Sequence, residues 1–345
     1  MSEKSKGDKM KVGVLGATGF TGEKLVEILA HHPKVEISYL TSRTPHPLAY
    51  SSIFPRFKGV VDINCERLDL KKAIRKADVF FLSLPHGVSM GVVPYLLKAG
   101  KRVVDLSADY RLKCAGLYKK FYSTVHKDKN SLKKAIYGMP ELFKERIKKA
   151  VLVANPGCYP TSIILALVPL AKEKLIEKEV IVDSYSSITG AGRRAVIDYH
   201  FAHVEGNIWA YKPFIHQHTP EIIQMIEEVA ALRMEIDFIP HVVGVPAGIY
   251  TTVHVCLKKK VTALKLRSVY KKYYAKSIFI RIKDKLPKLK DVVGTNFCDI
   301  GLSIHPGGRR AVIASCIDNL IKGAAGTAVQ NMNIMLGFKE SEGLL

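Results

Sequence analysis

The first half of the chain alternates between short β-type runs and segments with helical spacing. An apolar run begins at Lys11 and leads through glycines into apolar residues that are spaced for one helix face at positions 25–29. A second helical pattern covers positions 88–98. Further β-type runs occupy positions 35–41, 78–84, 102–106 and 150–154. This order predicts an α/β fold of the Rossmann, dinucleotide-binding type, with a parallel sheet and ligands beyond the carboxyl ends of its strands.

The junction between the first strand and the first helix carries three glycines at three-residue spacing. A tight turn, close approach of a pyrophosphate and close helix packing each require a missing side chain at such positions. An ordinary tight turn is the alternative interpretation, and the strand–turn–helix setting favours the nucleotide site. The residues expected to contact the cofactor here are Gly16, Thr18, Gly19, Phe20, Thr21 and Gly22.

Two further loops follow predicted strands and are expected beside the same cofactor. Ser42 and Arg43 come at the end of the second strand, where no Asp or Glu is available to accept from a ribose 2′-hydroxyl. A guanidinium and a hydroxyl suit a 2′-phosphate, so the sequence favours NADP over NAD, with a solvated loop arginine as the alternative. Pro85, His86 and Gly87 follow the next strand.

A candidate nucleophile follows the strand predicted at positions 150–154. The apolar run at positions 163–170 predicts a helix, and Pro160 suits its first turn. Cys158 therefore lies close to the positive end of the helix dipole, which favours a thiolate. The alternative is a small buried apolar residue, which is what we expect of Cys256 in the middle of a predicted strand.

Composition narrows the class of protein. The 345 residues are enough for two domains of about 150 residues each, and the formal net charge of +22 suits nucleic acid, acidic proteins or phosphorylated small molecules. The lysines are scattered and carry no nucleic-acid motif, so we do not expect nucleic-acid binding. The six cysteines show no metal-ligand spacing, which predicts no metal site and a reduced, cytoplasmic compartment. No apolar run approaches the roughly 20 residues of a membrane span, and the lysine-rich start, expected to be a loose tail, is unlike a secretory signal.

Seven short motifs are spread along the chain: GATGFTG, SLPHG, ADYRL, NPGCYPT, TGAGR, HQHTPE and DNLIKGAAGTAVQNMN. Together they resemble the N-acetyl-gamma-glutamyl-phosphate reductases of arginine biosynthesis, and the similarity runs from about Lys11 to Leu344. The resemblance implies the fold of aspartate-semialdehyde and glyceraldehyde-3-phosphate dehydrogenases. We therefore expect an NADP-binding domain at 1–155 and 319–345, closed by a returning C-terminal helix. A mixed-sheet catalytic and dimerisation domain is expected at 156–318.

The resemblance also implies a reaction. Cys158 attacks an acyl phosphate, phosphate leaves, and NADPH reduces the resulting thioester to a semialdehyde. His216 is implied as the acid–base partner of the cysteine, with His218 orienting it or capping the next helix. Gly190 and Asn319 are expected at the cofactor. The residues expected to bind substrate are Arg111, Asn155, Arg193, His218 and Glu221.

Several alternatives stay open at this stage. Arg194 competes with Arg193 for the anion, and Arg111 has the alternative of being a solvated loop residue. Ala247 stands where family members often carry an arginine, so an arginine contact to the substrate is not expected at that position.

One functional alternative is the homologous aminoadipyl-phosphate reductase of lysine biosynthesis, which acts on a carrier-protein-linked substrate. A non-catalytic NADP-binding regulator is the other. The family is expected to form homo-oligomers, either dimers or tetramers.

Overall fold

The computed structural model describes residues 9–193 and 195–345, so most of the expected loose tail and Arg194 lie outside the described residues. The chain divides into two compact units. The first contains the chain up to Lys113, Thr124–Asn155 and Ala328–Leu345, and the second contains Cys114–Ser123 and Pro156–Thr327.

The first unit is built on a sheet of eight strands in the order β3-β4-β2-β1-β5-β6-β8-β7. The pairings are parallel except for that of β3 with β4. Its strands are β1 (Met10–Leu15), β2 (Val35–Thr41), β3 (Leu48–Ala49), β4 (Asn64–Glu66), β5 (Val79–Leu82), β6 (Arg102–Asp105), β7 (Ile136–Tyr137) and β8 (Leu152–Ala154). Every residue of β5, the segment VFFL, is buried, as expected of a parallel strand covered on both faces.

Between residues 9 and 150 the structure has seven α-helices. They are α1 (Phe20–Ala30), α2 (Tyr50–Ile53), α3 (Leu70–Lys76), α4 (Val93–Lys98), α5 (Ala115–Tyr122), α6 (Lys129–Lys134) and α7 (Pro140–Ile147). Of these, α5 belongs to the second unit. The single helix predicted at 88–98 consists of a 3-10 turn, Ser89–Gly91, followed by α4, which begins with a proline among its first two residues.

The glycine-rich turn after β1 has a different requirement at each glycine. Gly16 has a φ of +88°, and a Cβ on it would lie 2.2 Å from the carbonyl oxygen of Ser83. A Cβ on Gly22 would lie 2.1 Å from the carbonyl oxygen of Gly16. Gly19 caps α1 in an extended conformation, and a Cβ there would meet only one atom, at 3.9 Å. Packing therefore requires glycine at positions 16 and 22. Position 19 has room for a Cβ, so its glycine leaves open space beside the turn.

The second unit is built on a mixed sheet of seven strands in the order β10-β11-β9-β12-β15-β14-β13, which confirms the predicted fold class. Here β9 pairs parallel with β11 and antiparallel with β12. The strands are β9 (Ile176–Ser187), β10 (Ile208–Ala210), β11 (Glu235–Val243), β12 (Ile249–Leu257), β13 (Ile280–Ile282), β14 (Cys298–Ile304) and β15 (Arg310–Ile317). The expectation for Cys256 is wrong, because alternation along β12 buries Val255 and Leu257 and exposes Cys256.

Helix α8 (Cys158–Lys172) belongs to this unit, and its residues from Tyr159 to Ala171 are all buried. The later helices are α9 (Phe201–Val204), α10 (Thr219–Ala230), α11 (Ala263–Tyr273) and α12 (Gly326–Leu336). All of α12 except its first two residues belongs to the first unit. A π-helical turn, Ile321–Ala325, precedes α12, so the helix expected from residue 319 begins later than predicted. None of the helices in the described ranges is both long and apolar enough to cross a bilayer.

The two glycines of the turn that differ in packing allow a direct test. We expect Gly22→Ala to lower the free energy of unfolding by about 3 kcal/mol, because the added methyl group meets backbone atoms that cannot move away. Gly19→Ala is the matched control and should cost less than about 1 kcal/mol, since its new methyl group enters open space. Denaturant unfolding of both variants measures the difference, and equal losses would contradict this account of the turn.

Candidate active site

Cys158 is the first residue of α8, so the helix begins at the candidate nucleophile itself. Gly157 is the N-cap residue, with extended backbone angles and no side chain over the helix end. The Cys158 side chain is partly exposed, while the helix behind it is buried. Because the N–H groups of a first helical turn point away from the helix body, this end favours a negative charge on the thiol or on a group bound to it.

A buried carboxylate fixes the start of α8. Glu221, in the first turn of α10, is 1% exposed, and its Oε1 accepts a 2.9 Å hydrogen bond from the backbone N–H of Gly157. The carbonyl of Gly157 in turn accepts bonds from the backbone N–H and the hydroxyl of Thr161. Both backbone groups of the cap residue are therefore held, which sets the position of Cys158.

His216 is buried in a ring of aromatic side chains. Its ring packs edge-on against Tyr159, Tyr211 and Phe238, with centroid distances of 5.5, 5.6 and 5.3 Å. Burial, and to a smaller extent Lys212, lowers the pKa of His216 to about 3. His216 is therefore a neutral imidazole at physiological pH.

The tautomer of His216 follows from one hydrogen bond. The backbone N–H of His218 donates to Nδ1 of His216 at 3.1 Å. Because Nδ1 accepts, the neutral ring carries its proton on Nε2. The two imidazole rings lie 4.8 Å apart, and α10 begins at the next residue, Thr219, as predicted.

Two tyrosines beside His216 were not predicted as site residues. The Tyr211 hydroxyl donates to the Tyr159 hydroxyl at 3.1 Å, which donates to the carbonyl of His241 at 3.2 Å. Burial and the nearby Cys158 thiol raise the pKa of Tyr211. Tyr159 stands beside Cys158 in the NPGCYPT motif, but no sequence pattern pointed to Tyr211.

Asn319 binds two other segments of the second unit. Asn319 Oδ1 accepts from the backbone N–H of Gly248 at 2.7 Å and from the Ser187 hydroxyl at 3.0 Å, and its Nδ2 donates to Thr189. In the same unit a Cβ on Gly323 would lie 2.9 Å from Cys158 Cβ, so a larger residue would press on the nucleophile.

The TGAGR segment lies at the surface of the second unit. Gly190 lies in a 3-10 turn, Ile188–Ala191, that follows β9, and Arg193 lies in the loop after it; both residues are exposed. The role of Arg193 in binding an anion stays a prediction.

The predicted 2′-phosphate site lies at the end of β2 in the first unit. Arg43 is exposed, and within residues 9–193 and 195–345 it forms no ion pair. The Ser42 hydroxyl shares a 2.7 Å hydrogen bond with Thr44. Parallel pairing of β2 with β4 brings an acidic residue, Glu66, to this end of the sheet, although Lys72 Nζ pairs with its carboxylate at 2.6 Å.

The loop after β5 carries Pro85, His86 and Gly87. His86 lies at the surface, yet the protein atoms around its ring, and then the Arg111 guanidinium, lower its pKa to about 4. Its Nδ1 accepts from the backbone N–H of Ala108 at 3.0 Å. His86 is thus neutral at physiological pH and tied to the segment after β6.

Two residues expected to bind substrate are buried in the first unit. Arg111 donates from Nε to the carbonyl of Asn155 at 2.8 Å and from Nη2 to that of Leu106 at 2.7 Å, so it is not the solvated loop residue of the alternative reading. Asn155 Oδ1 accepts from Asn331 Nδ2 at 3.1 Å. Both side chains organise the loops at the carboxyl ends of β6 and β8.

Comparison with known proteins identifies the family. One family model, described as the semialdehyde dehydrogenase NAD binding domain, matches residues 11–150, and the semialdehyde dehydrogenase dimerisation domain matches residues 158–319. Curated N-acetyl-gamma-glutamyl-phosphate reductases from Alkaliphilus metalliredigens and Methanocaldococcus jannaschii are each 44% identical over 97% of this chain, covering 98% and 97% of their own length. The chain belongs to the N-acetyl-gamma-glutamyl-phosphate reductase family.

Solved structures show that the fold extends beyond this reductase family. Aspartate semialdehyde dehydrogenase II from Vibrio cholerae, complexed with ASA, matches with a TM-score of 0.71 at 17% identity, covering 96% of this chain and 99% of its own. Aspartate semialdehyde dehydrogenase with NADP from Candida albicans also has a TM-score of 0.71 at 17% identity, over 95% and 99%. These two enzymes share the fold of this chain.

The six cysteines, which form no disulfide among the described residues, test the assignment of the nucleophile. Cys114 and Cys256 are exposed, whereas Cys158 is only partly exposed. If accessibility alone governed reactivity, the first two would react first. We expect iodoacetamide at neutral pH to label Cys158 at least about tenfold faster, because the thiolate reacts and a helix N-terminus favours it. Peptide mapping over time measures this, and faster labelling of Cys114 or Cys256 would contradict the assignment.

Proposed function

We propose that this chain reduces N-acetyl-gamma-glutamyl phosphate to N-acetyl-glutamate 5-semialdehyde and phosphate, with NADPH as the reductant and a thioester on Cys158. The observation that carries the proposal is the placement of Cys158 at the first position of α8, with the preceding cap residue held by buried Glu221. The names of the full-length relatives support the substrate, and they do not favour the aminoadipyl alternative.

The first step forms the thioester. The Cys158 thiolate attacks the acyl carbon, the bond from that carbon to the bridging phosphate oxygen breaks, and phosphate leaves with the electron pair. The tetrahedral intermediate carries an oxyanion. The N–H groups of the first turn of α8 are suited to stabilise it, because they present donors where the charge develops. Glu221 keeps this turn in place through Gly157.

The first unit fits a dinucleotide with a 2′-phosphate. The space beside Gly19 admits a pyrophosphate at the start of α1, and exposed Arg43 with Ser42 provides the donors for the 2′-phosphate. NADPH, when bound, supplies the hydride that reduces the thioester. The proposed cofactor residues are Gly16, Thr18, Gly19, Phe20, Thr21, Gly22, Ser42, Arg43, Pro85, His86, Gly87, Gly190 and Asn319.

The reduced thioester is a hemithioacetal oxyanion on Cys158, and His216 is its proposed partner. With a pKa of about 3, His216 meets the oxyanion as a neutral donor through Nε2–H rather than as an imidazolium. The hemithioacetal then collapses: its C–S bond breaks, the semialdehyde leaves, and Cys158 regains its thiolate. Because the ring is neutral, His216 stabilises the oxyanion by donating a hydrogen bond and keeps its own proton.

We further propose the wider assignment expected from the sequence. The first unit binds NADP, the second carries the catalytic residues and the dimerisation surface, and the enzyme works as a cytoplasmic dimer or tetramer. Exposed Arg193 is suited to bind an anion directly, whereas the buried groups of the proposed substrate set act on loop geometry. That set is Arg111, Asn155, Arg193, His218 and Glu221.

The reverse reaction tests the proposed function most simply. With NADP⁺ and phosphate, purified protein should oxidise N-acetyl-glutamate 5-semialdehyde with a kcat/KM at least about tenfold above that for the semialdehyde one methylene longer, because a fitted pocket discriminates a methylene by that order. Formation of NADPH at 340 nm follows the rate. A preference for the longer substrate would replace this assignment with the lysine-pathway reductase. Absence of turnover with both would leave a binding protein.

His216 and His218 separate the chemical role from the structural one. We expect His216→Asn to lower kcat by about 10²- to 10³-fold, the usual contribution of one positioned hydrogen-bond donor to an oxyanion, with the affinity for NADPH unchanged. His218→Asn is the control and should cost less, since its backbone N–H still orients residue 216. Steady-state kinetics with NADPH titration measures both, and the reverse ranking would move the role to His218.

A further inference from the structure

Two aspartates in the first unit are fully buried although the proposed chemistry uses neither. Asp105 is the last residue of β6 and Asp109 follows four residues later, and both are 0% exposed. Burial and the neighbouring Asp109 carboxylate raise the pKa of Asp105 to about 6. Two carboxylates buried so close to each other are costly, and a stable fold alone is served as well by apolar side chains.

The Asp109 carboxylate binds the main chain of the loop that follows β5. Its Oδ1 accepts from the backbone N–H of Gly87 at 2.7 Å, and its Oδ2 accepts from that of Met90 at 3.2 Å. Gly87 has a φ of +85°, a conformation that side-chain-bearing residues rarely adopt. Both carboxylate oxygens are therefore used to hold one strongly bent segment, residues 87–90.

Asp105 binds the same segment through the side chain of Ser89. Its Oδ1 accepts from the Ser89 hydroxyl at 2.7 Å, and its Oδ2 accepts from the Ser107 hydroxyl at 2.7 Å. The Ser107 hydroxyl accepts from the backbone N–H of Asp109 at 3.1 Å, which links the two aspartates. Three hydrogen-bond donors of segment 87–90 therefore bind to the two carboxylates.

We propose that Asp109 is a positioning residue for cofactor binding, which holds segment 87–90 in its bent form, with Asp105 supporting it through Ser89 and Ser107. The inference rests on the proposed function, because it takes Pro85, His86 and Gly87 as cofactor contacts. The segment lies in the loop that follows the carboxyl end of β5, and ligands of parallel sheets bind beyond the carboxyl ends of their strands. Holding it before the cofactor arrives reduces the entropy lost on binding.

Removal of Asp109 should weaken cofactor binding and leave the chemistry intact. We expect Asp109→Ala to raise the Kd for NADPH by about tenfold or more, and Asp109→Asn by less, because an amide keeps one acceptor oxygen. The kcat at saturating NADPH should stay within about twofold of the wild type. In the protein without cofactor, amide hydrogen exchange of the peptide covering residues 85–91 should become faster.

Asp128 provides the matched control. It accepts from the Tyr110 hydroxyl and from the backbone N–H of Ser131 at the start of α6, so it also holds two donors in the first unit, but none of them belongs to segment 87–90. Asp128→Asn should leave both the Kd for NADPH and the exchange of residues 85–91 unchanged, even where it lowers thermal stability.

The outcomes separate this proposal from the proposed function. If the wild type does not bind NADPH in a fluorescence titration, the proposed function fails and the positioning role fails with it. If the wild type binds NADPH and both Asp109 variants bind it equally well, only the positioning role is overturned. An equal loss in Asp128→Asn would also overturn it, since general destabilisation would then explain the effect. Should Asp109→Ala not fold, Asp109→Asn decides alone.

Discussion

The hydrogen bond from the Gly157 N–H to the buried Glu221 carboxylate is the interaction on which the catalytic unit depends. It determines where α8 begins, and therefore which residue stands in the first helical turn. With the cap held, Cys158 lies at the positive end of a helix that is buried from Tyr159 to Ala171. Gly323 adds a steric limit, because any side chain there would press on Cys158. The candidate nucleophile therefore stands at a helix start whose cap residue is held by a carboxylate.

The surroundings of His216, the proposed partner of Cys158, determine its charge and its tautomer. Aromatic rings surround His216 and exclude water, so the charged imidazolium is disfavoured and the Nε2–H tautomer is fixed from the backbone. In the proposed reaction, charge develops on the substrate oxygen and on Cys158. A neutral donor and the N–H groups of a helix start suit a reaction that passes through two oxyanions, because the donors need little rearrangement at either step.

The elements with strong local signals could be predicted from the sequence. Strand β2 was predicted with its observed bounds, Val35–Thr41, since a β-type run there ends at polar residues. Groups that act through distant contacts were missed: Tyr211 is 52 residues from the Tyr159 hydroxyl that it binds, and Glu66 reaches the end of β2 only through strand pairing. The expectation for Cys256 was wrong on two counts: the residue is the last but one of β12, and alternation along the strand exposes its side chain.

The central claim is that Cys158 carries the acyl group, and mass spectrometry of the protein after mixing with the acyl phosphate in the absence of NADPH tests it directly. The account predicts one added N-acetylglutamyl group on the peptide that contains Cys158, released by hydroxylamine and absent from Cys158→Ser, while phosphate appears in one equivalent. Acylation of another cysteine, or phosphate release by the wild type without any modified peptide, would contradict it.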